Sequence, residues 1–277
     1  MAKIKIITDS TAEITQAEAE QYNIDVLPLT VEIDGTTYVP GEDIESESFM
    51  EKMEHAEKLP KSSQPAIGKF VELYEKYVRE GYQIISIHLT EKLSGTVATA
   101  RQASEIVGGD ITVIDSDYIA RGLAFQVIEA AKLAKTETVS AIEQRLAEIR
   151  AKTSLYIVVV SLDNLIKGGR VGKMKGLLGN LLQIKLIAKL SNGELAEEAK
   201  VRSNKKIITY LVDKIKEEKE KIVALDIVHA DGWQLAESFK TSAKEWINHL
   251  KLPISFADPV IATHAGKGAF AVMYYTE

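Results

Sequence analysis

Through the first half of the chain, apolar residues fall in short runs separated by polar turns. Residues 3–8 alternate into an apolar run and predict a buried strand. Residues 12–22 have helical composition, and residues 25–33 read as a strand entering the turn at Asp34-Gly35. Ile67, Phe70, Val71, Tyr74 and Val78 recur at helical spacing over residues 67–79, Gly81 closes that helix, and residues 84–88 form the next strand. A helix at 96–107, a short strand at 111–114 and helices at 120–134 and 139–151 follow. Residues 155–160 are a near-continuous β-branched run, the mark of a strand covered on both faces. This alternation predicts an α/β fold in which an N-terminal domain, residues 1–160, holds a parallel sheet flanked by helices.

After Ser161 the texture changes. Residues 177–190 are apolar with few breaks, and residues 194–201 look like an edge strand. Residues 205–219 are amphipathic, with Ile207, Ile208, Leu211 and Ile215 on one face. Strands at 222–229, 253–257 and 270–276, with a helix at 233–250, complete a second α/β domain spanning 161–277. Internal repeats and low-complexity segments are absent.

Composition narrows the function classes. The net charge of −6 is spread along the chain without a basic block, which argues against a nucleic-acid partner. With no cysteine, disulfides, thiolate metal ligands and a cysteine nucleophile are all excluded. The opening residues run straight into a strand without the apolar core of a signal peptide, and no apolar run reaches membrane-spanning length. The expectation is a soluble cytoplasmic protein.

Hydroxyl and carboxylate residues gather where the predicted parallel strands end: Thr8-Asp9-Ser10-Thr11, Thr90 through Leu93-Ser94-Gly95-Thr96, Asp115-Ser116, and Ser161. Ligands of open parallel sheets sit outside the carboxyl ends of the strands, although the same residue types are favoured as helix N-caps. Gly95 strengthens the functional reading of its cluster, because a glycine lets backbone approach a ligand and bares anion-seeking N–H groups. Pro60-Lys61-Ser62-Ser63-Gln64-Pro65 is a stiffened, hydroxyl-rich loop. Thr263-His264-Ala265-Gly266-Lys267-Gly268 reads as a glycine-hinged turn with a lone histidine, either structural or functional.

Enzyme templates fail in turn. No G-x-G-x-x-G follows the first strand. The run Gly168-Gly169-Arg170-Val171-Gly172-Lys173 misses the phosphate-loop spacing, with Lys167 and Met174 at the two deciding positions. There is no G-x-S-x-G elbow and no tight histidine–carboxylate cluster for a metal. A serine hydrolase assembled from Ser94, His264 and either Asp9 or Asp115 stays open as the rival, acting on acyl esters. A sugar- or metabolite-binding protein with a short polar pocket is the third class.

In order along nearly the whole chain, these segments resemble the DegV family, bacterial fatty-acid-binding proteins that serve fatty acid kinase. The matching pieces are Thr8-Asp9-Ser10-Thr11, Pro60 through Pro65, Leu93-Ser94-Gly95-Thr96, Asp115-Ser116, residues 165–169 with Arg170, Lys200-Val201-Arg202, and Thr263-His264 with its glycines. The resemblance implies a parallel-sheet N-terminal domain, a C-terminal α/β domain, and an acyl chain buried in a tunnel between or within them. It implies a non-catalytic carrier with no cofactor, whose ligand is a long-chain fatty acid. The carrier's partner is a separate ATP-dependent fatty acid kinase that makes the acyl phosphate, with transient contact to a membrane surface. Ser62, Ser94 with Gly95 and Thr96, and His264 are implied at the carboxyl end of the ligand. Arg170 and Arg202 are implied in kinase docking or phosphoryl transfer, against the plainer reading of solvated or ion-paired surface arginines.

Two departures from the family pattern stand out. Ser62 occupies a position often held by threonine and lacks the methyl that stiffens it. Lys267 stands where proline is usual, which predicts a looser turn after His264. The physical chemistry is consistent with a lipid carrier: burying about fifteen methylenes at roughly 0.8 kcal/mol each supplies ~12 kcal/mol before ordering costs. The head group then needs only satisfied hydrogen bonds.

Overall fold

Strand β1 (Lys3–Asp9) is an interior strand of a parallel sheet in the computed structural model, which describes residues 3–173 and 185–277. Helix α1 (Gln16–Tyr22) starts in a capping box between Thr15 and Glu18 and leads into β2 (Ile24–Leu27). An excursion then makes the hairpin β3 (Thr30–Ile33) and β4 (Thr36–Tyr38), helix α2 (Ser46–His55) and the short strand β5 (Lys61–Ser63). Next come α3 (Ile67–Arg79), β6 (Tyr82–His88), α4 (Thr96–Val107), β7 (Ile111–Asp115), α5 (Ala120–Leu133) and α6 (Val139–Lys152).

The sheet order β2-β1-β6-β7 is parallel throughout. Helix α3 turns Phe70, Tyr74 and Tyr77 inward at three- and four-residue spacing, against Ile7, Ile84 and the small Ala100 and Ala103 of α4. Helix α5 packs on β1 and β6 and buries Leu123, Ala124 and Val127. Lys5 is buried on β1, where its ammonium bonds the Asn23 carbonyl at 2.8 Å and pairs with Asp25 at 3.0 Å, fastening β2 to its neighbour.

The remaining elements are β8 (Thr153–Val159), α7 (Asp163–Lys167), β9 (Lys185–Ser191), β10 (Glu194–Val201), α8 (Asn204–Glu218), β11 (Ile222–Ala230), α9 (Trp233–Ala243), β12 (Ile254–Phe256), α10 (Pro259–Ala265) and β13 (Ala269–Thr276). The second sheet runs β10-β9-β8-β13-β11-β12, antiparallel at every pairing except β11 with β12. Helices α8 and α9 cover one face of it through Ile207, Leu211, Ile215 and Phe239, which pack with Tyr156, Phe270 and Tyr274. No helix among the described residues is long and apolar enough to cross a membrane.

The chain divides into two compact units, Met1–Thr30 with Ser62–Ala151, and Val31–Lys61 with Lys152–Glu277. The sequence pattern predicts a break at residues 160/161 and a parallel strand before it. Instead β8 pairs antiparallel with β9 and β13, so it belongs to the second sheet, and the parallel sheet ends at β7. Full burial on both faces marks an interior strand of either kind of sheet. The strand predicted at 25–33 is two strands, because Pro28 has no N–H to give a ladder. The apolar run predicted at 177–190 falls within the described residues only as β9, and the helix predicted at 233–250 ends at Ala243.

Phe239 is fully buried on α9 with its ring 6.3 Å from that of Phe270. Phe239→Ala is therefore expected to destabilise the protein by about 3–5 kcal/mol. Urea unfolding monitored by far-ultraviolet circular dichroism measures this, and a loss under 1 kcal/mol would show that α9 is not anchored there.

Candidate functional site

In the first unit, three strand-to-helix turns meet at the carboxyl edge of the parallel sheet. After β6, the carbonyl of Thr90 accepts from the N–H groups of Leu93 and Ser94 at 3.1 and 3.2 Å. Ser94 Oγ lies 2.9 Å from Thr96 Oγ1 and accepts from the Thr96 N–H at 3.3 Å. Ser94 is half-buried one residue before Gly95, the N-cap of α4, while Thr96 is fully buried.

Ser62 is half-buried on β5, and two residues later the Gln64 side chain reaches over the start of α4. Its amide nitrogen bonds Thr99 Oγ1, and its amide oxygen lies so close to Gly95 that any Cβ there would overlap it. Glycine at 95 therefore makes room for Gln64. This amends the sequence expectation, in which Gly95 lets backbone approach a ligand. The same contact brings the Ser62 loop and the Ser94 turn together.

Carboxylates fasten the neighbouring turns. Asp9 Oδ1 accepts from Thr11 N–H at 3.1 Å; Oδ2 lies 2.9 Å from His88 Nδ1 and accepts from Leu89 N–H at 3.0 Å. Asp115 accepts from the N–H groups of Asp117 and Glu91 at 2.9 and 3.2 Å. Ser116 Oγ donates to the Tyr118 carbonyl at 3.1 Å. Both aspartates considered for a hydrolase triad are thus engaged in holding backbone, which counts against that arrangement. Ser161 follows β8 of the antiparallel sheet and so lies at no parallel-strand edge; its hydroxyl accepts from Asp163 N–H at 3.1 Å.

The second unit holds the histidine cluster. Of the predicted glycine-hinged turn, Thr263, His264 and Ala265 are the last turn of α10, and Gly266 to Gly268 form the turn itself, with positive φ at both glycines. Helix α10 is opened by Asp258, whose side chain accepts from Val260 N–H at 2.7 Å, and by Pro259. The sequence pattern hides this helix because it has only seven residues. The His264 ring lies against Gly168, where a Cβ would overlap Nδ1. Asn164 of α7 donates to the Thr263 carbonyl at 2.8 Å, and Arg170 Nη1 donates to the Gly168 carbonyl at 2.6 Å. Burial, reinforced by the nearby Arg170 charge, holds the His264 pKa down to about 4. The imidazole is neutral at physiological pH: it can exchange hydrogen bonds but is a weak general base.

Lys267 gives the following turn an anchor where the sequence predicts looseness. Its ammonium reaches Glu54 of α2 at 2.7 Å and Asp231 at 3.4 Å. Arg170 joins the His264 cluster. Arg202 does not: it is exposed just beyond β10, beside Ser203, the cap of α8, and forms no ion pair among the described residues. Gln64 belongs to a noted motif, yet its contact with Gly95 leaves no trace in sequence. Asn164 and His88 carry no sequence signal at all.

The family model described as "Uncharacterised protein, DegV family" matches residues 3–277. The chain is 62% identical over 279 residues to the DegV domain-containing protein lmo1863 of Listeria monocytogenes, with 100% of both chains covered. Its fold is similar to that of the fatty-acid-binding DegV family protein from Thermus thermophilus, at TM-score 0.92 and 25% identity over 100% of both chains. It is also similar to DegV, a fatty acid binding protein from Bacillus subtilis, at TM-score 0.89 and 29% identity over 100% of both chains. On the family match and the full-length likeness to lmo1863, this chain belongs to the DegV family.

Proposed function

We propose that this protein binds one long-chain fatty acid and presents its carboxyl group to a separate ATP-dependent fatty acid kinase, which forms the acyl phosphate. The observation that carries the reading is the full-length likeness to two DegV proteins that bind fatty acids. The local geometry supports it. In the first unit Ser62, Ser94 and Thr96 carry hydroxyls around the Gly95 turn, and in the second His264 carries a neutral imidazole; each set by itself is of the kind that suits a carboxyl group that must be held and then released. In this proposal Arg170 and Arg202 serve the kinase, and the chain makes and breaks no bonds itself. The hydrolase rival is weakened by the engaged aspartates and by the low basicity of His264.

Protein purified from cells under native conditions is expected to carry stoichiometric fatty acid, detected by mass spectrometry after denaturation. Empty protein that takes up no added fatty acid would overturn the carrier. Ser94→Ala should weaken fatty-acid binding by about 1–3 kcal/mol through the lost donor, and lower stability by about 1 kcal/mol through the lost bond to the Thr96 N–H. Unchanged affinity would remove Ser94 from the head-group site.

Arg170→Gln and Arg202→Gln are expected to retain bound lipid while slowing kinase-dependent acyl-phosphate formation at least about tenfold, as for a removed charge-assisted hydrogen bond. Lipid lost from purified Arg170→Gln or Arg202→Gln protein would place that arginine in the lipid site instead.

His264 makes stability depend on pH. Its folded pKa of about 4 lies below the ordinary 6.5, so between these values the unfolded chain takes up a proton that the folded chain does not. Stability is fully present above that window and declines as the pH falls through it. Melting curves from pH 7.5 to 4.5 should show a shallower decline in His264→Gln than in wild type. Parallel declines would mean that the ring is not held neutral.

A further inference from the structure

We propose that Tyr74, Ser86, His88 and Asp9 form a one-way hydrogen-bond relay that positions the turn carrying Ser94; the functional meaning given to that turn rests on the carrier reading above. All four side chains are completely buried, on α3, on β6 and at the end of β1. Tyr74 donates its hydroxyl to Ser86 Oγ at 2.7 Å. Ser86 Oγ lies 2.7 Å from His88 Nε2, and His88 Nδ1 lies 2.9 Å from Asp9 Oδ2. The His88 ring is clamped edge-on to Phe70, with centroids 5.3 Å apart.

The donor inventory fixes the direction. Ser86 accepts from Tyr74, so its single proton is left for His88 Nε2, and His88 then carries its hydrogen on Nδ1 and donates to Asp9. Asp9 Oδ2 is a carboxylate oxygen and can only accept, which places the ring hydrogen on Nδ1 and leaves Nε2 to accept from Ser86. Asp9 collects four donors: His88, Leu89 N–H, and both the N–H and hydroxyl of Thr11. A fully buried carboxylate so saturated has one position, and burying it without these partners would be costly.

From Asp9 the constraint runs outward in two steps. Leu89 is the first residue beyond β6 and its N–H is bound to Asp9. Thr90 follows at once, and its carbonyl holds the N–H groups of Leu93 and Ser94. The residue types are those of a serine–histidine–aspartate triad, but Ser86 is inaccessible and already accepts from Tyr74. It is no nucleophile, and His88 acts here as a positioning residue.

The test compares two substitutions of one ring. His88→Asn puts an amide nitrogen near the place of Nδ1 and can still donate to Asp9; His88→Gln reaches Ser86 but leaves Asp9. Amide hydrogen exchange of the ligand-free protein should accelerate about tenfold or more at Leu89, Leu93 and Ser94 in His88→Gln, with Ile85 inside β6 unchanged and His88→Asn close to wild type. Fatty-acid affinity should follow the same order, falling about tenfold in His88→Gln and recovering in His88→Asn. Asp9→Asn, nearly identical in shape, removes an acceptor and should loosen the same amides, which keeps the test open if His88→Gln does not fold. Uniform acceleration through β6, or equal behaviour of Asn and Gln, would overturn the relay. Localised loosening in a protein that binds no fatty acid would uphold the relay and sink the carrier reading alone.

Discussion

Parallel strands cannot be joined by a tight turn. Each connection must travel back to the starting edge of the sheet, here through a helix, before the next strand begins. In the first unit this gathers the turns after β1, β6 and β7 along one edge, whatever their sequence. The backbone groups there leave the ladder and need partners, which Asp9, Ser94, Asp115 and Ser116 supply. The hydroxyl-rich character of the edge follows from that need as much as from any ligand. The second unit has no such rule, because most of its strands are antiparallel. Its histidine cluster exists because α7 and α10 are in contact.

Two glycines show how closely polar side chains are fitted into these clusters. Gly95 gives up a Cβ to Gln64, and Gly168 gives up one to His264. Neither residue has a positive φ among the glycines that do, so neither is demanded by backbone conformation. Both stand at helix ends, Gly95 as the N-cap of α4 and Gly168 as the C-cap of α7, where glycine carries none of the cost it has inside a helix. In each case a polar side chain is seated where a methyl would otherwise stand.

Much of the architecture is legible in the sequence where the chain's own periodicity is strong. The predicted helices at 67–79 and 96–107 coincide with α3 and α4, and the edge strand at 194–201 with β10. Pairing partners are not legible in the same way. The burial pattern of β8 is the same whether its neighbours run parallel or antiparallel, so its assignment to the first sheet misleads. Helix α10 is too short for a periodic stripe, and the glycines after His264 suggest a flexible turn that Lys267 and Glu54 in fact secure. The family-like motifs name Ser62, Ser94 and His264. They say nothing of Gln64 as a brace or of His88, which sits in an apolar strand and looks like any core residue.

Neutrality is what unites the two clusters chemically. In the first, the side-chain oxygen bonded to Ser94 is the Thr96 hydroxyl, and the one against Gly95 is the Gln64 amide, both neutral. In the second, burial and the neighbouring Arg170 keep His264 uncharged, so the positive charge resides on the guanidinium and not on the ring. For a carrier this division matters. In any such carrier an acyl tail supplies enough apolar burial to dominate affinity, roughly 0.8 kcal/mol per methylene. An ionic clamp on the carboxylate would add to that affinity mainly by slowing release. On the proposed reading, neutral donors are what orients a head group while leaving exchange with a partner enzyme open. Orientation by neutral hydroxyls is only as good as the backbone that carries them. That gives a saturated, fully buried carboxylate beneath the Ser94 turn a role that a purely apolar strand end could not fill.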